Sequence, residues 1–350
     1  MRSLYLHIGL PKTGSTYLQQ WLTLNRAALA AAKVWVPPRP LLAHRIAAEF
    51  ITDERRAARQ DVKHIKTVSF EEARDQLGPA VADPRFASGI LSSEYFCECP
   101  PREVTALREV TGDAIVYVVL FLRRQDRLFE SGYNQEIKAM GATYVIGPPR
   151  YSPKADWLVL YESWAAAFGE QNLRIVNYDV IAERRELLPA FLKAVDLSAD
   201  LVTTTHTDIA DGQNQSLPAN LLEFKRLANA LGDLELEQWL YRVIDAGMPG
   251  PAFRLPPEIA RQHLALYAES NRKLARRLGM HDSDDLFPAA DLSETAPARG
   301  ADLTGHLPVD TVAQLLALLV RQSADREAEL ARQIEGLEKR LRALEARAAD

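Results

Sequence analysis

The stretch "LYLHIGLPKTGSTYLQQWL", residues 4 to 22, decides the fold. Its apolar start reads as a buried strand, Gly9 and Gly14 stand at G-x-x-x-x-G spacing, and Leu18, Trp21, Leu22 and Leu24 follow at helical spacing. A strand, a glycine turn and a helix in this order make an anion cradle, because the N–H groups of the turn face the ligand and the positive end of the helix backs them. Two glycines at this spacing also shape ordinary turns; it is the flanking strand and helix that favour a bound phosphate. A nucleotide triphosphatase carries its lysine directly after the second glycine. Here that position is Ser15, and the lysine is Lys12, inside the turn.

Further short apolar runs follow at 34 to 37, 88 to 93, 114 to 122 and 173 to 180, with amphipathic segments between several of them. This alternation predicts an α/β fold, a P-loop-type three-layer sandwich with a mostly parallel sheet. After about residue 180 the strand signals stop, and the second half of the core is expected to be helical. Residues 1–285 read as one domain and 286–308, rich in Pro, Ala and Asp, as a linker. In the segment 309–350, Leu330, Ile334, Leu337, Leu341 and Leu344 form a short heptad seam, with Glu335 and Lys339 paired at i,i+4. That coiled-coil-like helix either joins copies of the chain as a homo-oligomer or lies solvated or locally docked.

With 350 residues, a large core is available, and a net charge of −5 gives no global reason to bind nucleic acid or an anionic membrane surface. An anion must therefore be held by a local site. Cys97 and Cys99 are too close for an ordinary disulfide and lack partners for a zinc site, which fits a reducing cytoplasm. The run at 114 to 122 is about half the length of a membrane-spanning helix, so no transmembrane segment is expected, and the early strand leaves no room for a cleavable signal peptide.

The run "AIVYVVLFL" ends in Arg123 and Arg124 where a nucleotide triphosphatase would place a magnesium-binding carboxylate. Ser131 stands eight positions beyond Arg123, about two helical turns on, so the pair is suited to clamp a second phosphate.

With these residues in place, the chain resembles the 3′-phosphoadenosine 5′-phosphosulfate (PAPS) dependent sulfotransferases, particularly bacterial members related to carbohydrate sulfotransferases. "PKTGST" at 11 to 16 resembles that family's 5′-phosphosulfate loop, and Arg123 with Ser131 its 3′-phosphate pair; segments 214–229 and 267–279 resemble helices of the bacterial branch less specifically. The resemblance spans roughly residues 1 to 285. It implies that Pro11, Lys12, Thr13, Gly14, Ser15 and Thr16 cradle the 5′-phosphosulfate, that Arg123 and Ser131 read the 3′-phosphate, and that the product is adenosine 3′,5′-bisphosphate. It also accounts for the displaced lysine. From inside the turn Lys12 approaches the oxygen bridging phosphate and sulfur, where negative charge grows as the sulfuryl group leaves. No metal is required by this scheme.

In that family the acceptor hydroxyl is deprotonated by a histidine or glutamate near the end of a central strand. Glu94, which ends the run "GILSSE", is the candidate here; it also reads as a surface carboxylate or a partner for Lys12 or an arginine. His7 lies within the first strand and reads as structural, while His44 and His64 fall in a charged helical region without a motif. Tyr17 either faces the adenine or packs as an ordinary tyrosine. Asn134 and Gln135 either point toward substrate or, as polar residues on a helix face more often do, are solvated or capping. The acceptor is expected to be a hydroxyl of a glycan or glycolipid precursor, bound by residues 38 to 86 and the later helices. Two other functions remain open: a P-loop kinase or nucleotide triphosphatase, and a non-catalytic scaffold assembling through its terminal helix.

Overall fold

The computed structural model describes residues 2–39, 42–52, 66–201, 216–230, 232, 251–280, 285–288 and scattered positions between 312 and 334. In chain order the elements are β1 (Ser3–His7), α1 (Ser15–Leu24), α2 (Arg26–Ala31), β2 (Val34–Trp35), α3 (Leu42–Glu49), α4 (Phe70–Val81) and β3 (Ser88–Ser92). A 3₁₀ turn over Glu94–Glu98 follows, then α5 (Pro101–Val110), β4 (Ile115–Leu122), α6 (Gln125–Met140), α7 (Trp157–Phe168) and β5 (Leu173–Asn177). Helices α8 (Tyr178–Glu183), α9 (Leu187–Ala194), α10 (Ala219–Ala230) and α11 (Pro257–Arg277) follow among the described residues.

The five strands lie in the order β2-β3-β1-β4-β5. Every pairing between them is parallel, with Ser3 opposite Ser88 on one side of β1 and opposite Ile115 on the other. Because side chains alternate along a strand, each strand feeds two cores. Leu4, Leu6, Leu91, Val118, Leu120 and Leu122 face one cluster, shared with α3, α4, α5, α7 and α11. Tyr5, Ile90, Val119 and Phe121 face the other, shared with α1, α2 and α9. These are the three layers expected from the sequence, and the helical second half is present as α9, α10 and α11.

Boundaries follow local chemistry. Ser69 accepts the Glu72 N–H at the start of α4, with Glu71 and Glu72 in the first turn. Asp156 accepts the N–H groups of Leu158 and Val159 at the start of α7. The apolar run expected to continue to 180 stops at Asn177, whose side chain accepts the Val180 N–H and starts α8.

The chain divides into two compact units. The first, residues 1–132, 147–215 and 255–296, holds the sheet. The second, residues 133–146, 216–254 and 297–350, is tied internally by polar side chains. There Asn134 bonds the Leu217 backbone in both directions at 2.8 and 3.0 Å, and Arg226 pairs with Glu223 at 2.7 Å while donating to Thr143 O. Asn134 is thus structural. Of the heptad seam, Leu330 and Ile334 are described and are 49% and 56% exposed; Leu337, Leu341 and Leu344 lie outside the described residues, as do His64 and most of the linker. Among the described residues no helix is long and apolar enough to cross a membrane.

Candidate active site

Connections from β1 lead first to β2 and β3 on one side and then to β4 and β5 on the other, so the chain changes direction across β1. In open parallel sheets the crevice at such a reversal, beyond the carboxyl ends of the strands, is where ligands bind. The loop after β1, Glu94 after β3 and Arg123 after β4 all lie at that end.

The loop is wound by three residues with positive φ: Gly9 at 36°, Lys12 at 68° and Gly14 at 78°. Left-handed backbone costs a lysine about 1–2 kcal/mol, and such strain is retained where surrounding contacts enforce it. Here they do. Thr13, fully buried, donates its hydroxyl to Leu10 O at 2.7 Å, and Arg123 donates Nη1 to Lys12 O at 2.8 Å. Glycine is needed at position 14 on two counts, since a Cβ there would also stand 2.4 Å from Leu187 Cδ2. Gly14 is the N-cap of α1, which has no side-chain cap and no acidic residue in its first turn. The first amides of α1 thus keep their capacity for an anion. Ser15 is buried and Thr16 exposed, while Pro11 and Lys12 are half-buried at the rim. Tyr17 packs against the apolar cluster of α1 and α9.

On the β4 side, Arg123 is joined by residues that the sequence did not single out. Its guanidinium lies 5.3 Å from the Tyr178 ring centroid, and its Nε is 3.6 Å from Asp179 Oδ1. That Nε is buried without a hydrogen bond. Asp179 Oδ2 accepts the Arg124 N–H at 2.7 Å, while Arg124 itself is held by Asp126 at 2.7 and 2.9 Å. Burial pushes the Asp179 carboxyl up from the usual carboxylate range, against the pull of Arg123 and Arg124. Ser131 is half-buried on α6, and no hydrogen bond joins it to Arg123.

The β3 side is a different environment. Ser93 N–H donates to His7 O at 3.0 Å and extends the β1–β3 ladder, so the loop and the 3₁₀ turn start side by side; a Cβ on Gly9 would be 3.7 Å from Glu94 Cα. Gln19, one turn into α1, donates to Glu94 Oε2 at 2.8 Å. Glu94 is half-buried. Beneath the loop His7 is fully buried, 2.8 Å from Ser92 Oγ through Nδ1, and burial holds its pKa down at about 4. His7 is structural, as its place in the strand suggested. His44, on α3, is also buried and lies 2.6 Å from Ser93 Oγ through Nδ1. Gln19, His44, Tyr178 and Asp179 carried no spacing signal, because each reaches the site from an element remote in sequence. Among the described residues no group of His, Cys, Asp and Glu side chains is arranged to hold a metal ion.

No family model matches the sequence, and no curated protein matches it. Among solved structures, the crystal structure of a sulfotransferase from Alicyclobacillus acidocaldarius is similar at a TM-score of 0.41 and 15% identity, over 68% of this chain and 99% of that one.

Proposed function

We propose that the chain is a sulfotransferase that moves a sulfuryl group from PAPS to a hydroxyl, in the first instance of a glycan or glycolipid precursor. The observation that carries this reading is Lys12, held at positive φ inside an anion loop by Arg123, with Glu94 beside the start of the same loop. The residues fit such a donor. Three positive-φ residues and an uncapped helix start suit a phosphate, and a half-buried arginine one strand away suits a second anion.

The donor supplies the sulfuryl group and departs as adenosine 3′,5′-bisphosphate, leaving negative charge on the oxygen that had bridged to sulfur. Lys12 stabilises that charge and the amides of residues 13 to 16 hold the 5′-phosphate. Arg123 reads the 3′-phosphate, with Ser131 beyond it on α6. Glu94 takes the proton from the acceptor hydroxyl as the new oxygen–sulfur bond forms and the old one breaks, and later returns it to water. Gln19, donating to Glu94, fixes the carboxylate's direction.

A thermal-shift panel tests the reading. Adenosine 3′,5′-bisphosphate stabilises a sulfotransferase by mass action, ATP with magnesium a kinase or triphosphatase, and neither a bare scaffold. The expected result is stabilisation by the bisphosphate above that by AMP, followed by sulfuryl transfer from labelled donor in a glycan and lipid screen. Preference for ATP with magnesium overturns the proposal.

A further inference from the structure

We infer that Arg123 shapes the first anion site as well as facing the second: by holding the Lys12 carbonyl it sets the direction of the Thr13 N–H, so the two sites are coupled through one peptide plane. The inference rests on the reading of residues 13 to 16 as a 5′-phosphate cradle, and it makes Arg123 a positioning residue for that cradle.

The coupling starts from strain. Lys12 has a φ of 68°, a region that glycine enters freely and lysine does not. The direction of its carbonyl is therefore set by contacts and not by local preference. Arg123 supplies such a contact, donating Nη1 to Lys12 O at 2.8 Å across 111 positions of sequence. A trans peptide is planar, and its C=O and N–H point opposite ways. Holding Lys12 O toward Arg123 thus directs the Thr13 N–H away from it. Thr13 is itself buried, and its hydroxyl donates to Leu10 O at 2.7 Å, which anchors the far side of that plane. Were the plane to turn over, a carbonyl oxygen would stand where the amide had stood, and the cradle would face a phosphate with an acceptor in place of a donor.

Arg123 is held as a strut would be. Its own carbonyl accepts the Trp157 Nε1–H at 3.0 Å, from the first residue of α7, which fixes the end of β4. Its guanidinium lies 5.3 Å from the Tyr178 ring centroid and 3.6 Å from Asp179. Arg124, its neighbour, spends its guanidinium on Asp126 at 2.7 and 2.9 Å instead. A guanidinium carries five N–H donors in one plane. With one of them on Lys12 O, an anion taken by the others rests on a group that also steers the loop. By linkage, an anion in the loop steadies Arg123 in return.

The experiment uses AMP, which carries the 5′-phosphate and no 3′-phosphate for Arg123 to read. Calorimetry compares the full chain, Arg123→Ala, Lys12→Gly and the double variant. Arg123→Ala is expected to weaken AMP by about tenfold, on the order of one charge-assisted hydrogen bond. In the Lys12→Gly background, where left-handed backbone carries no steric cost, the same substitution should weaken AMP by less than about threefold. An AMP affinity unchanged in Arg123→Ala overturns the inference. So does an equal loss in both backgrounds, since Arg123 would then act through its charge alone. Arg123→Met, which keeps the aliphatic stem, completes the same cycle if Arg123→Ala does not fold. A parent that binds no AMP overturns the cradle and the inference together. With an acceptor in hand, turnover from a donor lacking the 3′-phosphate should fall in Arg123→Ala by a similar factor, and unchanged turnover there also overturns the inference. Absence of sulfuryl transfer with every acceptor, beside a non-additive cycle, overturns the sulfotransferase reading and leaves the strut standing.

Discussion

The two flanks of the glycine loop differ in charge and in how they are held. Toward β4, Arg123 is clamped between the Lys12 carbonyl, the Tyr178 ring and Asp179, an arginine kept in reserve by a weak, 3.6 Å ion contact. Toward β3, Glu94 is directed by Gln19, and the chain on either side of it is gripped by His44. In the proposed reading one flank takes an anion and the other a proton. A single loop spans both, which teaches that binding and proton transfer are separable by substitution even though they share a backbone.

The largest expected effect lies on the β3 flank. Glu94→Gln should cut turnover by about 10² to 10⁴ and leave the affinity for adenosine 3′,5′-bisphosphate nearly unchanged, as measured by steady-state kinetics and calorimetry. If turnover stays within a few-fold of the parent, Glu94 is structural and the contrast between flanks collapses. Lys12→Ala should follow, with turnover lower by about 10² to 10³, in line with removal of one charge-stabilising group, and with the bisphosphate still bound through the loop amides.

The β4 flank should respond in affinity. The unmodified protein is expected to prefer adenosine 3′,5′-bisphosphate over AMP by about tenfold or more, or about 1.4 kcal/mol, and Arg123→Ala should erase most of that preference. Because Arg123 also holds the Lys12 carbonyl, the same variant should lower turnover at saturating donor. Asp179→Asn should act in the opposite sense and tighten the bisphosphate by a few-fold, since it removes the negative charge beside the arginine. Calorimetry showing equal affinity for the two nucleotides in the parent would falsify the assignment of this flank.

The smallest effect concerns stability and tests the floor beneath both flanks. The folded-state pKa of His7 is held down at about 4 by burial, below the unfolded value near 6.5. Its neutral form therefore contributes stability fully present above about pH 6.5 and lost as pH falls from there toward 4. Thermal midpoints measured between pH 7 and 4 should fall more steeply in the parent than in His7→Gln. Parallel slopes would show that His7 takes up no proton on unfolding.

How much of this was legible beforehand differs by element. The three-layer fold was legible because strand and helix signals are local: runs such as residues 115 to 122 and the spacing of Leu18, Trp21 and Leu22 are written in adjacent residues. The glycine turn and the basic strand end were legible for the same reason, since the first is written within residues 9 to 14 and the second at the close of the run that ends in Arg123 and Arg124. Where the reading ran past its signal, a cap decided: Asn177 turned an apolar run into α8. The partition into two units had no composition shift to mark it, because α6 contributes residues to both.

The sequence by itself determined the parallel α/β architecture, the anion loop with its displaced lysine, and the arginine after β4, because each depends on hydrophobic period, backbone freedom or charge at short range. Only the tertiary structure decided that Arg123 holds the loop as well as facing it, that Asp179 and Tyr178 stand beside that arginine, and that Gln19 and His44 converge on the turn of Glu94. The physical reason is distance along the chain. Hydrogen bonds and charge pairs between residues 19 and 94, 44 and 93, or 123 and 12 leave no periodicity in either partner's neighbourhood and come into being only when the parallel sheet brings the ends of β1, β3 and β4 to one edge.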